Sequence, residues 1–384
     1  MVVAVAIAVM VLWIYLLSAR STLFGPEIFD FIDTRAVPER WPSISVIIPA
    51  RNESDMLRFT LPFALSFYYP QVEVILVDDC SEDSTAETAA QVAQAQERPL
   101  RVVRGLPPPE GWKGKPWALQ QGLEASTGEW LLFTDADVVH RRELLRDLVR
   151  IALTQDFQMV SLMALLRTET FWDRLLLPPF LFFFYVMYPF HRVKNPRSRT
   201  AAAAGGCLLV ERAALEKAGG LAAVRGAWID DLALAAVLKQ SGARIYLGAT
   251  VQAQSFRRYG TLGSIWRMVA RSAFTQLRGS WALVALALAS LTVLFGVPAA
   301  GALAVFMGLS GGLGFGLASM LGAVSGFSLG FMILAYAPAI RLYRLPLLWA
   351  LTLPAAALLY GAMTLSSALS HLLGQRPRWK GRSG

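Results

Sequence analysis

The sequence predicts an α/β domain built on a mostly parallel sheet and held between membrane-embedded ends. Short apolar runs alternate with helical patterns between residues 44 and 134, the spacing of right-handed βαβ units. Those runs end on polar residues, and the last of them, LLFTDAD at residues 131–137, stops on two carboxylates one residue apart. The chain is also too apolar for a soluble protein. Of its 384 residues 55% are hydrophobic and 16% charged, with a mean hydropathy of +0.46, whereas soluble domains are about a quarter charged.

Residues 2–17 are apolar and uncharged and run into Arg20. They lack the basic start and small-residue cleavage site of a signal peptide, so residues 1–20 read as a membrane anchor. Residues 38–278 are mixed in composition and long enough for one α/β domain, assigned to residues 38–260. ISVIIP (44–49) predicts a first buried strand, followed by a polar loop over 50–55 and a helix to about 67. VEVILV (72–77) predicts a second strand, ending on Asp78-Asp79, with N-cap chemistry over 81–85 opening a helix to about 96. Residues 100–104 follow as a third strand, 107–114 as a Pro/Gly loop, 115–125 as a helix and 130–134 as a fourth strand. Further strand and helix signals lie at 207–211 and 229–240. Residues 171–190 are apolar but too short and Pro-broken to span a bilayer. They read as an exposed contact for an acceptor lipid, with buried core as the alternative. Residues 262–278 predict an amphipathic interface helix within a segment 261–280. Residues 281–307, 313–337 and 345–369 are each long enough to cross roughly 30 Å of hydrocarbon. They make residues 281–372 a three-helix membrane region, followed by a basic tail at 373–384.

The net charge of +9 does not form a nucleic-acid stripe. Arg20, Arg257, Arg258, Arg267, Arg271, Arg278, Arg341 and Arg344 cluster beside apolar segments, which places the middle domain on the cytoplasmic side. Three C-terminal spans put the basic tail on the opposite side, against the same rule. Either one segment is re-entrant or interfacial, or the span count differs by one. Cys80 and Cys207 suggest no disulfide framework, and His140, His191 and His371 are too scattered for a zinc site.

Ligands of open α/β sheets bind at the C-terminal strand tips. Those tips carry Arg51-Asn52-Glu53, Asp78-Asp79 and Asp135-Asp137. PARNES after the first strand excludes a dinucleotide fingerprint, and there is no phosphate-cradling P-loop. Carboxylates must therefore meet the base and ribose of a nucleotide, with a hard divalent cation on its phosphates. Each motif has a plainer reading. Asp78-Asp79 can cap a helix, Asp230-Asp231 can complement a helix dipole, Gly205-Gly206 can be a tight turn, and Lys113 and Lys115 can be solvated loop charges.

Six segments in order, IIPARNE, VDDCSEDST, GWKGKPWAL, TDAD, AAGGCLLVERAAL and WIDDLALA, resemble a family 2 glycosyltransferase over about residues 44–278. The resemblance implies the GT-A fold, a Rossmann-like and mostly parallel sheet. The wording of VSLMALL, FLFFFYVMYPF, AAAAGGC, WIDDLALA, MVARSAFTQL and the tail WKGR is similar to the hopene-associated branch. The resemblance implies that Asp78 and Asp79 meet the nucleotide base, Glu53 the ribose, and Lys115, with Lys113, the diphosphate. It makes Asp137 the closer ligand of Mg²⁺ or Mn²⁺, with Asp135 a second ligand facing the donor. It puts Gly205 and Gly206 in the sugar and acceptor pocket and makes Asp231 the general base. Asp230 stands where the family writes Glu. Arg267 and Arg271 match a helix that closes over the diphosphate, although the Q-x-x-R-W of processive synthases is absent there. QRPRW at residues 375–379 is read as a coincidence of position.

The expected function is metal-dependent inverting transfer of a sugar from a nucleotide-diphosphate sugar, such as a UDP-sugar, to a hopanoid or polyprenoid lipid. The expected place is a multi-pass protein of a bacterial inner membrane, with no nucleic-acid partner. The competing expectation is an inactive membrane scaffold or lipid-binding protein. A transporter fits less well, because the spans carry almost no ionisable residues.

Overall fold

The computed structural model describes residues 1–18, 28–29, 38–308, 314–374, 378–379 and 382–383. The expectations for Arg20, for residue 313 and for most of QRPRW and WKGR lie outside them. The chain divides into two compact units. One comprises Glu27–Arg167, Met187–Arg258 and Pro377–Gly384, and the other Met1–Pro26, Thr168–Val186 and Tyr259–Arg376.

The first unit is built on one sheet. Its strands are β1 (Ile44–Ala50), β2 (Val72–Asp78), β3 (Arg101–Arg104), β4 (Trp130–Phe133), β5 (Val138–His140), β6 (Met159–Leu165), β7 (Leu208–Glu211) and β8 (Ile245–Ser255). Their order is β3-β2-β1-β4-β7-β6-β8-β5. The half predicted from βαβ spacing is parallel throughout, β1 pairing with β2 and β4, and β2 with β3. The other half is mixed: β6 and β8 are parallel, while β7 runs antiparallel to β4 and β6, and β5 to β8.

All seven residues of β1 are buried. A central strand covered on both faces reads as a continuous apolar run for this reason. Leu57 and Leu61 of helix Ser54–Leu65 join Val46 and Ile48 in the main core. On the opposite face, helix Gly114–Glu124 approaches β1 so closely that a Cβ on Gly122 would collide with Ile47. That packing fixes the start of the helix, where Lys115 stands.

The second unit is helical. Trp281–Phe306, Gly314–Leu342 and Leu347–Leu372 are long and apolar enough to cross a membrane, and Val2–Leu17 is a shorter apolar helix. Pro298 has no N–H to return to the carbonyl four residues earlier, Leu294. The helix takes a π turn over Thr292–Gly296, and the Leu294 carbonyl accepts the indole N–H of Trp13 at 3.0 Å.

Two expectations are corrected here. Residues 171–190 are not an open apolar patch, because most of helix Phe171–Met187 is buried. Phe182 packs on Tyr336 and Phe183 on Tyr360, whose hydroxyl donates to the Leu176 carbonyl at 2.7 Å. The single interface helix over 262–278 is two helices, Leu262–Ala270 and Ala273–Gln276, interrupted at Arg271 and Ser272.

Candidate active site

The tips of β1 and β2 are stitched together. Arg51 donates from Nη1 to the carbonyls of Asp79 and Cys80 at 2.7 and 2.8 Å. Asn52, at φ 50°, accepts the Glu82 N–H at 2.8 Å, a left-handed position that Asn tolerates. The Glu53 N–H donates to Thr85 Oγ1 at 2.9 Å. Asp78 and Asp79 then separate. Asp78 is half-buried and its Oδ1 caps the turn by accepting the Ser81 N–H at 3.1 Å, while Asp79 is fully buried.

The D-x-D carboxylates face different partners. β4 ends at Phe133, and the chain turns at Ala136 and Asp137, with the Val138 N–H donating to the Asp135 carbonyl at 3.2 Å. The two side chains therefore lose the common face that two-residue spacing gives in a strand. Asp135 pairs through Oδ1 with Lys115 Nζ at 2.7 Å. Asp137 pairs through Oδ2 with Arg257 Nε at 2.7 Å, and Arg257 Nη2 also reaches Glu53 Oε1 at 2.9 Å.

Lys115, Asp135, Gly205, Asp230 and Asp231 line one cavity, whose apolar wall includes Leu119, Phe133 and Leu221. Lys115 lies 4.0 Å from Asp230 Oδ2. Burial acts to lower its pKa, but the charges of Asp135, Asp230 and Asp231 outweigh that and raise it, so the ammonium stays protonated. Asp231 starts helix Asp230–Gln240 and accepts two N–H groups, from Gly205 to Oδ2 at 2.7 Å and from Leu232 to Oδ1 at 2.8 Å. Its pKa is pushed up to about 6 by burial, with the Asp230 charge adding, against the pull of Lys115 and the two N–H donors. Gly205 leaves room for both side chains. A Cβ there would lie 3.0 Å from Lys115 Nζ and 3.4 Å from Asp231 Oδ2.

Three features escaped the sequence reading. Arg257 was taken for a membrane-flanking charge, yet it bridges Asp137 and Glu53; no local pattern sets it apart from its neighbour Arg258. Lys113 turns to Trp228, with Nζ 4.5 Å over the ring, and its N–H donates to the Arg225 carbonyl at 2.8 Å. Thr134 Oγ1 donates to the Gly206 carbonyl at 2.9 Å and meets His140 Nε2 at 2.7 Å. Burial lowers the His140 pKa to about 4, against the upward pull of Asp135, so the ring is neutral at pH 7. Gly206 thus lies beside the strand exit, and Gly205 beside Asp231. Arg267 and Arg271 belong to the helical unit, where both are exposed.

Among the described residues no three His, Cys, Asp or Glu side chains form a metal cage by themselves. The donor set still fits a hard divalent cation. Glu53, Asp135, Asp137, Asp230 and Asp231 are five carboxylates facing two cations, Lys115 and Arg257. One or two carboxylates completed by ligand phosphates are the usual shell of Mg²⁺.

Comparison with known proteins bears on the family and the fold. Residues 45–219 match the model of glycosyl transferase family 2. A probable glycosyltransferase of Bacillus subtilis, YdaM, is 31% identical over 140 residues, 34% of this chain and 33% of that one. The 4,4'-diaponeurosporenoate glycosyltransferase of Staphylococcus haemolyticus is 38% identical over 106 residues, 28% of this chain and 27% of that one. The matches thus span about a third of these relatives or less. The mannosyltransferase PcManGT from Pyrobaculum calidifontis, solved with GDP-Man and Mn²⁺, aligns over 98% of this chain and all of its own, with a TM-score of 0.57 at 20% identity. That likeness shows the fold, GT-A. Residues 45–219 are thus similar to a glycosyltransferase family 2 domain, and the same chain has three candidate membrane spans.

Proposed function

We propose that this protein is a membrane-bound inverting glycosyltransferase. It moves a sugar from a nucleotide-diphosphate sugar, such as a UDP-sugar, to a hopanoid or polyprenoid lipid at the cytoplasmic face of a bacterial inner membrane. The observation that carries the reading is Asp231. It is a partly buried carboxylate whose pKa is pushed up to about 6, fixed by two N–H donors in the cavity that also holds Lys115 and Asp135. A general base works best when its pKa lies near the operating pH.

Glu53 and Asp78 would face the ribose and base, with Asp79 behind them shaping the turn. Asp137, assisted by Asp135, would hold Mg²⁺ or Mn²⁺, which when bound neutralises the charge of the leaving diphosphate. Lys115 sits between Asp135 and Asp230 and adds a permanent positive charge on the same side. Asp231 takes the proton from the acceptor hydroxyl as that oxygen attacks the anomeric carbon. One base acting in one displacement inverts the anomeric centre. Gly205 leaves space on the acceptor side, because a side chain there would crowd Lys115 and Asp231, and Gly206 continues that segment. The lipid acceptor is supported by the apolar helices and by a relative named for 4,4'-diaponeurosporenoate.

The test is incubation of the detergent-solubilised full chain with a panel of nucleotide sugars and bacterial lipid extract, with and without Mn²⁺. Sugar transfer from one donor, dependent on the metal, is expected. Absence of both transfer and nucleotide binding with every donor refutes the reading in favour of an inactive scaffold.

A further inference from the structure

Arg257 lies two residues beyond the end of β8, and its guanidinium joins carboxylates far apart in the chain. Nε donates to Asp137 Oδ2 at 2.7 Å and Nη2 to Glu53 Oε1 at 2.9 Å. The side chains of Asp137 and Glu53 are 14% and 10% exposed and that of Arg257 36%, so these pairs are only weakly solvated. Ser255 Oγ faces the same Asp137 oxygen at 3.5 Å. The backbone that aims Arg257 is anchored on both sides. The Phe256 N–H donates to the Asp137 carbonyl at 2.6 Å, and the Phe256 ring stacks on Phe59 at 5.4 Å. Arg167 covers the Phe256 ring at 4.7 Å.

Arg257 sets one positive charge between two carboxylates and holds both by charge-assisted hydrogen bonds. This has a consequence for metal binding. A divalent cation arriving alone at Asp137 must compete with a charge-assisted hydrogen bond and place two positive charges beside a third. A nucleoside diphosphate changes that balance, because its oxygens offer the guanidinium a bidentate partner in exchange.

We propose that Arg257 is a tethered placeholder cation. It occupies Asp137 and Glu53 in the ligand-free protein and hands them over when a diphosphate arrives, so that metal and nucleotide bind as a coupled pair. The inference rests on the donor-site reading above and adds to it a residue that sets the order of assembly.

Calorimetry on the full chain in detergent tests it, with Mn²⁺ alone and with UDP or GDP in the presence and absence of Mn²⁺. For the unaltered protein, Mn²⁺ alone is expected to bind weakly, and metal and nucleotide to tighten each other by roughly tenfold or more, within the usual range of coupling between sites. Arg257→Gln is expected to bind Mn²⁺ alone roughly tenfold more tightly and to lose most of the coupling. Arg257→Lys keeps a charge but cannot fork between two carboxylates, so it should shift the same way by less. It serves as the readout if the Gln variant fails to fold by circular dichroism. Mn²⁺ affinity and coupling unchanged in the folded variants, with nucleotide binding intact in the unaltered protein, overturn this inference alone. An unaltered protein that binds neither nucleotide with Mn²⁺ overturns it together with the donor-site reading.

Discussion

Replacing Asp231 by Asn separates catalysis from architecture, and the structure fixes the expected magnitudes. The Asp231 pKa is raised from 3.8 to about 6, first by burial and then by Asp230. Keeping the group ionised at pH 7 therefore costs about 3 kcal/mol, at about 1.4 kcal/mol per pH unit. The sign follows from the direction. The folded state holds the proton more tightly than the unfolded one, so this cost is absent below about pH 4 and complete above about pH 6. Asn removes the cost but introduces another. Both carboxylate oxygens accept N–H groups, from Gly205 and Leu232, and an amide has one acceptor oxygen. The N–H left facing the amide nitrogen costs about 1–3 kcal/mol. The two effects nearly cancel, so stability at pH 7 should stay within about 2 kcal/mol of the unaltered protein. Turnover should fall roughly 10²–10⁴-fold, the usual contribution of a positioned base. The assay is sugar transfer to lipid extract, with UDP affinity and a melting curve for both proteins between pH 4 and 8. The unaltered enzyme should lose rate as the pH drops through about 6, and the variant's residual rate should not follow that step. Near-normal transfer by the Asn variant refutes the base assignment and makes Asp230 the next group to test.

Asp137→Asn should fold and lose metal-dependent UDP or GDP binding, since the amide offers one neutral oxygen where Arg257 already competes; unchanged metal-dependent affinity by calorimetry counts against the metal role. Gly205→Ala should lower turnover by about an order of magnitude or more with little change in melting temperature, because the new methyl displaces the flexible end of Lys115 from Asp135 rather than the backbone; full activity would show that the Lys115 position is not critical. Deletion of residues 2–17 should leave the chain in the membrane fraction, since one spanning helix anchors effectively irreversibly. It should also lower thermal stability, because Ala6 packs with Leu321 and Val324 and Trp13 satisfies the Leu294 carbonyl; recovery of the truncated chain in the soluble fraction would contradict the span assignment.

The parallel half of the sheet was legible because β1 and β4 are buried apolar runs and β2 is buried through its centre, each stopped by charged or turn residues at the edge where ligands bind. β5, β6 and β8 were not. β5 has three residues, too few for a pattern, and MVSLMAL of β6 alternates no more than a buried helix does. The separate acidic residues were visible, but not their pairing. D-x-D spacing suggests two carboxylates on one face, and only the turn at Ala136 and Asp137 shows that they pair with different basic side chains, Lys115 and Arg257. Arg257 was hidden by company, since four other arginines follow it before the first C-terminal span and all satisfy the rule that places basic residues beside membrane segments. The apolar run at 171–190 was ambiguous on principle: hydrophobicity tells that a segment avoids water, not whether protein or lipid covers it.

The base and the D-x-D strand exit belong to one framework, and this follows from the hydrogen bonds alone. His140 is neutral and buried and contacts Thr134, whose hydroxyl donates to Gly206. Thr134 precedes Asp135, and Gly206 follows Gly205, whose N–H holds Asp231. The far end of the Asp231 helix is tied down independently, because Lys239 Nζ donates to the carbonyls of Val193 and Thr200 at 2.6 and 2.7 Å. The helix is thus held near both of its ends. A displacement of Thr134 is expected to change the distance between Asp135 and Asp231 through this chain of hydrogen bonds. On the proposed mechanism these groups flank the departing diphosphate and the attacking hydroxyl, and an error of about 1 Å between them is enough to cost two orders of magnitude in rate. Thr134 and His140 touch neither group's reacting atoms, yet they set the spacing on which an in-line displacement depends.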